Sequence, residues 1–181
     1  RDWVKVKFSD DYRISLESGI IVFRDEFRNK YPYGNLLEFD TEKKEVAHYV
    51  RDYWVWGPGL QAEALPDGDY KVYEKDIRVT TGNTLVFGAA ARLNPAFTLE
   101  RCDGFTLKDV NIWHCGGMGV IAQRSKDLEL NNVNVVPSPG KGRMISITAD
   151  ATHFVNCKGF IRMIGCTFMN QKDDATNIHG W

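Results

Sequence analysis

Two copies of a seven-residue pattern stand close together in this chain: Ala149-Asp150-Ala151-Thr152-His153-Phe154-Val155 and Asp173-Asp174-Ala175-Thr176-Asn177-Ile178-His179. Asp150 and Asp174 hold the same place in the two copies, 24 positions apart, and Ala-Thr follows both. A repeat of that length suggests coils of a solenoid. In a parallel β-solenoid, equivalent residues of successive coils stack about 4.8 Å apart. The sequence therefore predicts a carboxylate cluster on one face, made of Asp150, Asp174 and the adjacent Asp173. Like charges held that close are costly, and such clusters concentrate at functional sites.

Paired acids open to solvent are the equipment of glycoside hydrolysis. One carboxylic acid protonates the leaving oxygen, and a carboxylate activates water or attacks carbon. Inverting enzymes separate the two groups by roughly 6.5–9.5 Å and retaining enzymes by about 5 Å. Directly stacked Asp150 and Asp174 fit two schemes. They are acid and nucleophile of a retaining enzyme, or they jointly hold the attacking water while the acid lies elsewhere, with Asp173 a candidate. Asp173 and Asp174 are successive, so on a regular strand they point to opposite faces, and a shared pocket requires a bend. Two plainer readings compete: aspartates that cap solenoid corners through their side chains, and a Ca²⁺ site.

The neighbours carry the same double reading. His153 and His179 are placed to hydrogen-bond sugar hydroxyls, although singly each is more often a packed or corner histidine. Asn177 and Asn156 are placed to orient a carboxylate, with a ladder asparagine the commoner fate for Asn156. Gln123, Arg124 and Lys172 offer donors to a groove, with a solvated side chain the default for the two cations. Trp54, Trp56 and Trp113 could form a stacking platform for a pyranose face, although aromatic residues in strands are mostly core.

These groups need elements to position them. From about residue 97 the apolar residues recur as Phe105, Leu107, Val110 and Ile112, then Leu128, Leu130, Val133 and Val135, then Ile161, Met163, Cys166 and Phe168. The first two sets are 23 positions apart and the next two 33, and the surplus is assigned to the turn-rich Pro137-Ser138-Pro139-Gly140-Lys141-Gly142. Asn131-Asn132 falls where a tight corner needs a left-handed residue. Short strand pairs with corners every 22–25 residues or so predict right-handed parallel β-helix coils over 97–181. Residues 21–96 instead show short β runs (Ile20–Phe23, Tyr53–Trp56, Tyr70–Tyr73, Ile77–Val79, Leu85–Phe87) parted by turn signals such as Gly57-Pro58-Gly59 and Pro66-Asp67-Gly68-Asp69. They read as a small inserted antiparallel β-barrel. Residues 41–50 suit a short helix or, from the alternation of Val46, His48 and Val50, a strand. A boundary is placed near 90–97, where Ala89-Ala90-Ala91 and Asn94-Pro95 interrupt the pattern, and residues 1–20 are read as an earlier β-helix turn.

Composition narrows the function classes. With 43% hydrophobic and 26% charged residues, the 181-residue chain can bury a real core. A net charge of −1 disfavours nucleic acid as the partner. No apolar run reaches the length of a membrane-spanning helix. Cys102, Cys115, Cys157 and Cys166 lack metal-site spacing and read as packed free thiols. No cofactor or metal is implied. The chain opens on Arg1 without methionine or signal peptide and stops at Trp181, just after the motif, which reads as a segment of a longer protein, marginally stable by itself.

The segments Gly116-Gly117-Met118-Gly119-Val120-Ile121-Ala122-Gln123, Thr148–Phe154, Asn156-Cys157-Lys158-Gly159 and Gln171–Gly180 resemble the glycoside hydrolase family 110 exo-α-1,3-galactosidases, and Val46–Asp52 does so more loosely. The resemblance implies a right-handed β-helix carrying inserted β-barrels, and metal-independent, inverting hydrolysis of terminal α-1,3-galactose from glycans such as the blood group B antigen. It implies catalytic aspartates at Asp150, Asp173 and Asp174, galactosyl-terminated glycoconjugates as partners, a secreted or periplasmic location, and further coils and sugar contacts beyond Trp181. It favours the water-holding scheme for the stacked pair. Two other classes suit the same residues: another β-helix carbohydrase, such as a polygalacturonase or lyase using Arg124, Lys141, Arg143 and Lys172 for uronate carboxylates, and a solenoid that binds glycans without turnover.

Overall fold

The computed structural model describes residues 2–31, 33–54, 59–89 and 92–181. The expected strand residues Val55 and Trp56, the Gly57-Pro58 turn, Ala90-Ala91 and the Trp54 side chain lie outside the described residues. The described residues form strands and turns and contain no helix. None is therefore long and apolar enough to cross a membrane as a helix. The chain divides into two compact units, Arg1–Ala91 and Arg92–Trp181.

The described residues of the first unit form ten strands: β1 (Trp3–Val6), β2 (Arg13–Glu17), β3 (Ile20–Arg24), β4 (Lys30–Tyr31), β5 (Tyr33–Asp40), β6 (Glu45–Val46), β7 (Tyr53–Trp54), β8 (Ala62–Ala64), β9 (Tyr70–Tyr73) and β10 (Thr84–Ala89). All pair antiparallel, in the orders β1-β9-β8, β2-β3-β4 and β10-β5-β6, with β7 also on β5. Antiparallel strands can turn in two residues, and Ser18-Gly19, at φ 51° and 78°, closes the β2–β3 hairpin that way. Alternation sends Val6, Ile21, Leu36 and Val72 into a common core with Leu60 and Ile77. Phe8 completes it, its ring centroid 5.1 Å from Phe87 and 5.3 Å from Tyr70.

Three expectations change here. Residues 1–20 supply β1 and β2, whose antiparallel pairing differs from the stacked parallel pairing of a coil. Ile77–Val79 is no strand: Ile77 is buried, but the Arg78 N–H donates to Tyr53 Oη (2.8 Å) and the Thr80 N–H to Glu38 Oε1 (2.8 Å), so side chains satisfy the backbone that a ladder would. Residues 41–50 form a turn and the two-residue β6 rather than a helix.

The second unit contains β11 (Phe97–Glu100), β12 (Asp103–Ile112), β13 (Val120–Gln123), β14 (Lys126–Val135), β15 (Thr152–Val155), β16 (Lys158–Ile164), β17 (Thr167–Phe168) and β18 (Thr176–His179). The chain passes alternately between two parallel sheets, β11-β13-β15-β18 and β12-β14-β16 with β17 beside β14. The apolar repeat fixes the register: Phe105 pairs with Leu128 and Leu128 with Ile161, Leu107 with Leu130 and Leu130 with Met163, Ile112 with Val135 and Val135 with Phe168. Each strand thus stacks like on like, and Leu128, Leu130, Val133, Val135, Val120 and Phe154 are fully buried. Each such side chain contributes about 1.5–3 kcal/mol on leaving water.

Left-handed residues bend the chain at matching places. Asp109 and Asn132 (φ 54° and 52°) share one corner, and Asn132 Nδ2 donates to Asp109 Oδ1 at 2.8 Å. Arg101, Arg124 and Asn156 share another, and the backbone N–H of each donates to the carbonyl one strand over, of Gln123, Val155 and His179 respectively. Residues 136–151 replace connections that span only 113–119 and 169–175, which houses most of the surplus; the remainder is a bulge between Lys158 and Ile161. All four cysteines are free thiols packed against the core.

Candidate functional site: the outer face of the β11-β13-β15-β18 sheet

In register, β13, β15 and β18 align Val120-Thr152-Thr176 and Ala122-Phe154-Ile178 on one side of the sheet, and Ile121-His153-Asn177 and Gln123-Val155-His179 on the other. The inward threonines form a ladder, Thr152 Oγ1 donating to Thr176 Oγ1 at 2.9 Å. The same stacking continues one residue earlier, where the Ala151 N–H donates to the Asp174 carbonyl at 2.9 Å and the Gly119 N–H to the Asp150 carbonyl at 2.9 Å. Asp150 and Asp174 therefore sit at equivalent places just before the adjacent parallel strands β15 and β18.

Their environments differ. Asp150 is only 2% exposed, and its Oδ2 lies 2.5 Å from His153 Nδ1. Its Oδ1 has no hydrogen-bond partner and lies 3.7 Å from a terminal nitrogen of Arg92. The other terminal nitrogen of Arg92 contacts Asp173 Oδ2, so one guanidinium spans two of the three aspartates. Asp174 is exposed, its Oδ2 accepting from Asn177 Nδ2 at 3.2 Å. Asp173 lies in a bend of the chain, and its Oδ1 accepts the Asp174 N–H at 3.1 Å. No group of three or more His, Cys, Asp or Glu side chains among the described residues is placed to hold one metal ion.

His153 continues the chain of polar contacts: its Nε2 lies 3.0 Å from His179 Nε2. Beyond it the Trp181 ring stands edge-on to His179 at 5.3 Å. Gln123, Arg124, His153, Val155, His179 and Trp181 line a groove of about 300 Å³. All five candidate ligand-binding residues are thus on this face, Asn177 beside Asp174 and the other four at the groove. The Arg124 guanidinium is tied to Glu100 at 3.0 Å.

The remaining candidates resolve individually. Asn156 is a corner residue whose Oδ1 accepts the Trp181 N–H at 2.8 Å. Lys172 is 6% exposed, which overturns the solvated default for it. Trp113 is half exposed. Sequence reasoning missed Arg92, which is separated from Asp173 by 81 positions and follows no repeat; its basic side chain between an alanine run and Asn94-Pro95 was the only signal.

A buried carboxylate gripping a histidine, an exposed carboxylate stacked above it, and an adjoining groove of donors with an aromatic wall suit a neutral, hydroxyl-rich ligand. Residues 1–85 match the family described as GLAA-B beta-barrel domain I. The chain is 36% identical to alpha-1,3-galactosidase A of Shewanella woodyi, over 98% of this chain and 29% of that protein. It is 30% identical to alpha-1,3-galactosidase B of Bacteroides thetaiotaomicron, over 80% of this chain and 24% of that protein. The chain thus resembles alpha-1,3-galactosidases along nearly its whole length. It spans less than a third of the length of these curated relatives. An alpha-1,3-galactosidase B of Phocaeicola vulgatus is 27% identical over 94% of the chain. The match to the Shewanella woodyi protein covers both units, the all-β first unit with its beta-barrel family match and the parallel sheets of the second.

Proposed function

We propose that this chain is the part of an inverting exo-α-1,3-galactosidase that carries the water-activating aspartates, and that its second unit is a stretch of right-handed parallel β-helix. The observation that carries this reading is the stacking of buried Asp150 beneath exposed Asp174, with Asp173 joined to Asp150 through Arg92. Asp174 is open to solvent and oriented by Asn177, as a base that takes a proton from water must be. Asp150 presents Oδ1, which lacks a donor, as a second acceptor for that water. Asp173 is the candidate acid within this chain. The bidentate reach of Arg92 fixes the spacing of the carboxylates before substrate arrives, which lowers the reorganisation needed in the transition state.

The substrate class in this reading is a terminal α-1,3-linked galactose on a glycan, the blood group B antigen among them, met outside the cytoplasm. His153, His179 and Gln123 supply donors and acceptors, and Trp181 offers an apolar ring to the sugar face. Proton NMR of α-1,3-galactobiose incubated with the protein that carries this chain tests it, with the Shewanella woodyi relative alongside. β-Galactose as the first product supports the inverting scheme. α-Galactose first overturns inversion, and no release with an active relative alongside overturns the assignment.

A further inference from the structure

The first unit has a pocket of its own, independent of the aspartate site. It measures about 400 Å³, within the range of small-molecule sites, and Trp3, Glu38, His48, Tyr49, Arg78 and Thr80 are among its lining residues. Glu38 belongs to β5, is 5% exposed, and accepts at Oε1 from the Thr80 N–H (2.8 Å) and from Asn83 Nδ2 (2.6 Å). Both bonds use the same oxygen, and Glu38 is itself among the residues lining the pocket. A carboxylate this deep needs compensation, and two donors to one oxygen fix its orientation.

The rim is aromatic. Tyr49 is 94% exposed at φ 60°, a conformation that bulky residues rarely adopt, and its ring centroid lies 3.9 Å from that of His48. A backbone held in this region is strained, and such positions cluster at functional sites. Trp3 stands opposite, part exposed, with Lys71 Nζ 5.0 Å over its ring. Arg78 brings one positive charge to the same pocket as the Glu38 carboxylate, so the pair selects against a strongly charged ligand.

We infer that this pocket is a second carbohydrate site, in which Glu38 accepts a hydroxyl, Arg78 donates to the ring or a hydroxyl oxygen, and Tyr49 stacks on the face of a neutral pyranose. It would hold a glycan at the first unit while the aspartates act on another residue or another chain.

Methyl α-D-galactopyranoside and methyl α-D-glucopyranoside, titrated into the intact protein and followed by amide NMR, test the inference. The expected result is saturable shifts at Tyr49, His48 and Thr80 that persist in Asp174→Asn, which separates this site from the catalytic reading. Tyr49→Gly relieves the positive φ and so should leave Tm unchanged or raised while weakening binding about tenfold, the size expected for losing one aromatic stack. Glu38→Gln should weaken binding as well. Shifts confined to the His179 groove, no shifts with either sugar, or full affinity in Tyr49→Gly would each overturn it.

Discussion

His153 and His179 face one another through Nε2 atoms 3.0 Å apart, while His153 Nδ1 lies 2.5 Å from the buried carboxylate of Asp150. Only one proton fits between two such nitrogens. A neutral His153 that donates Nδ1–H to Asp150 accepts at Nε2, with His179 the donor. The order follows from the ladder: His153 and His179 occupy diagonal positions on adjacent strands, reachable only because β15 and β18 pair in this register.

Removing the anchor should therefore be felt at both rings. Asp150→Ala leaves the His153 N–H buried without an acceptor, at a cost of about 1–3 kcal/mol. Asp150→Asn keeps an acceptor and should cost less. Thermal melts supply the ranking, and ¹⁵N spectra of the imidazoles report whether His153 loses its Nδ1–H form in Asp150→Ala only. Equal melts for the two variants would sink the proposed contact.

Asp174 is exposed and holds no core contact, so its replacement separates chemistry from folding. Asp174→Asn should leave the unfolding free energy within about 0.5 kcal/mol of the parent protein's. It should lower α-galactoside hydrolysis by about 10²–10⁴-fold, the usual worth of a general base. Arg92→Lys keeps the charge but loses the two-pronged reach to Asp150 and Asp173, and should reduce kcat more than it raises KM. Normal turnover in Asp174→Asn would remove it from the base role.

The close approach of Gly119 to Ala151 makes a prediction about glycine. A Cβ on Gly119 would stand 2.5 Å from the Ala151 carbonyl oxygen and 3.2 Å from Val135 Cγ2, and backbone cannot step aside as a side-chain tip can. Gly119→Ala should destabilise by about 1–3 kcal/mol, as overpacking does. Gly116→Ala, whose Cβ would meet Leu93 Cβ at an ordinary 3.6 Å, is the control and should be nearly neutral. Melting temperatures of the two decide it, and an unchanged Tm in Gly119→Ala would mean that the segments before β13 and β15 separate more easily than their pairing indicates.

The parts of this molecule that repeat were legible in its sequence. Phe105, Leu128 and Ile161 announce their register because in-register parallel strands place like beside like, and Asp150 announces Asp174 for the same reason. Asn132 was readable as a corner because few residues tolerate a left-handed conformation. What escaped has no period. Arg92 reaches Asp173 across 81 positions, and Glu38 reaches Thr80 and Asn83 across 42 and 45. The burial of Lys172 depends on neighbours that its own flanking residues do not reveal. Ile77–Val79 misled because its alternation is real for burial while its backbone is claimed by Tyr53 and Glu38.

His114 offers a pH test that is independent of the aspartates. Burial holds its imidazole below the ordinary 6.5, and the Arg143 guanidinium, with a nitrogen 2.7 Å from Nδ1, pushes the same way; a backbone hydrogen bond at Ser146 opposes them. The folded ring thus resists a proton that the unfolded chain accepts near 6.5. Below that pH the unfolded state binds more protons, so this contribution is complete above 6.5 and declines as pH falls towards the folded value. Arg143→Gln removes one of the two depressing causes, so the His114 titration should move up towards 6.5 and the loss of Tm between neutral and mildly acid pH should shrink. Proton NMR of the His114 ring against pH, read beside melts at the same pH values, checks both. A titration unmoved by Arg143→Gln would assign the depression to burial alone.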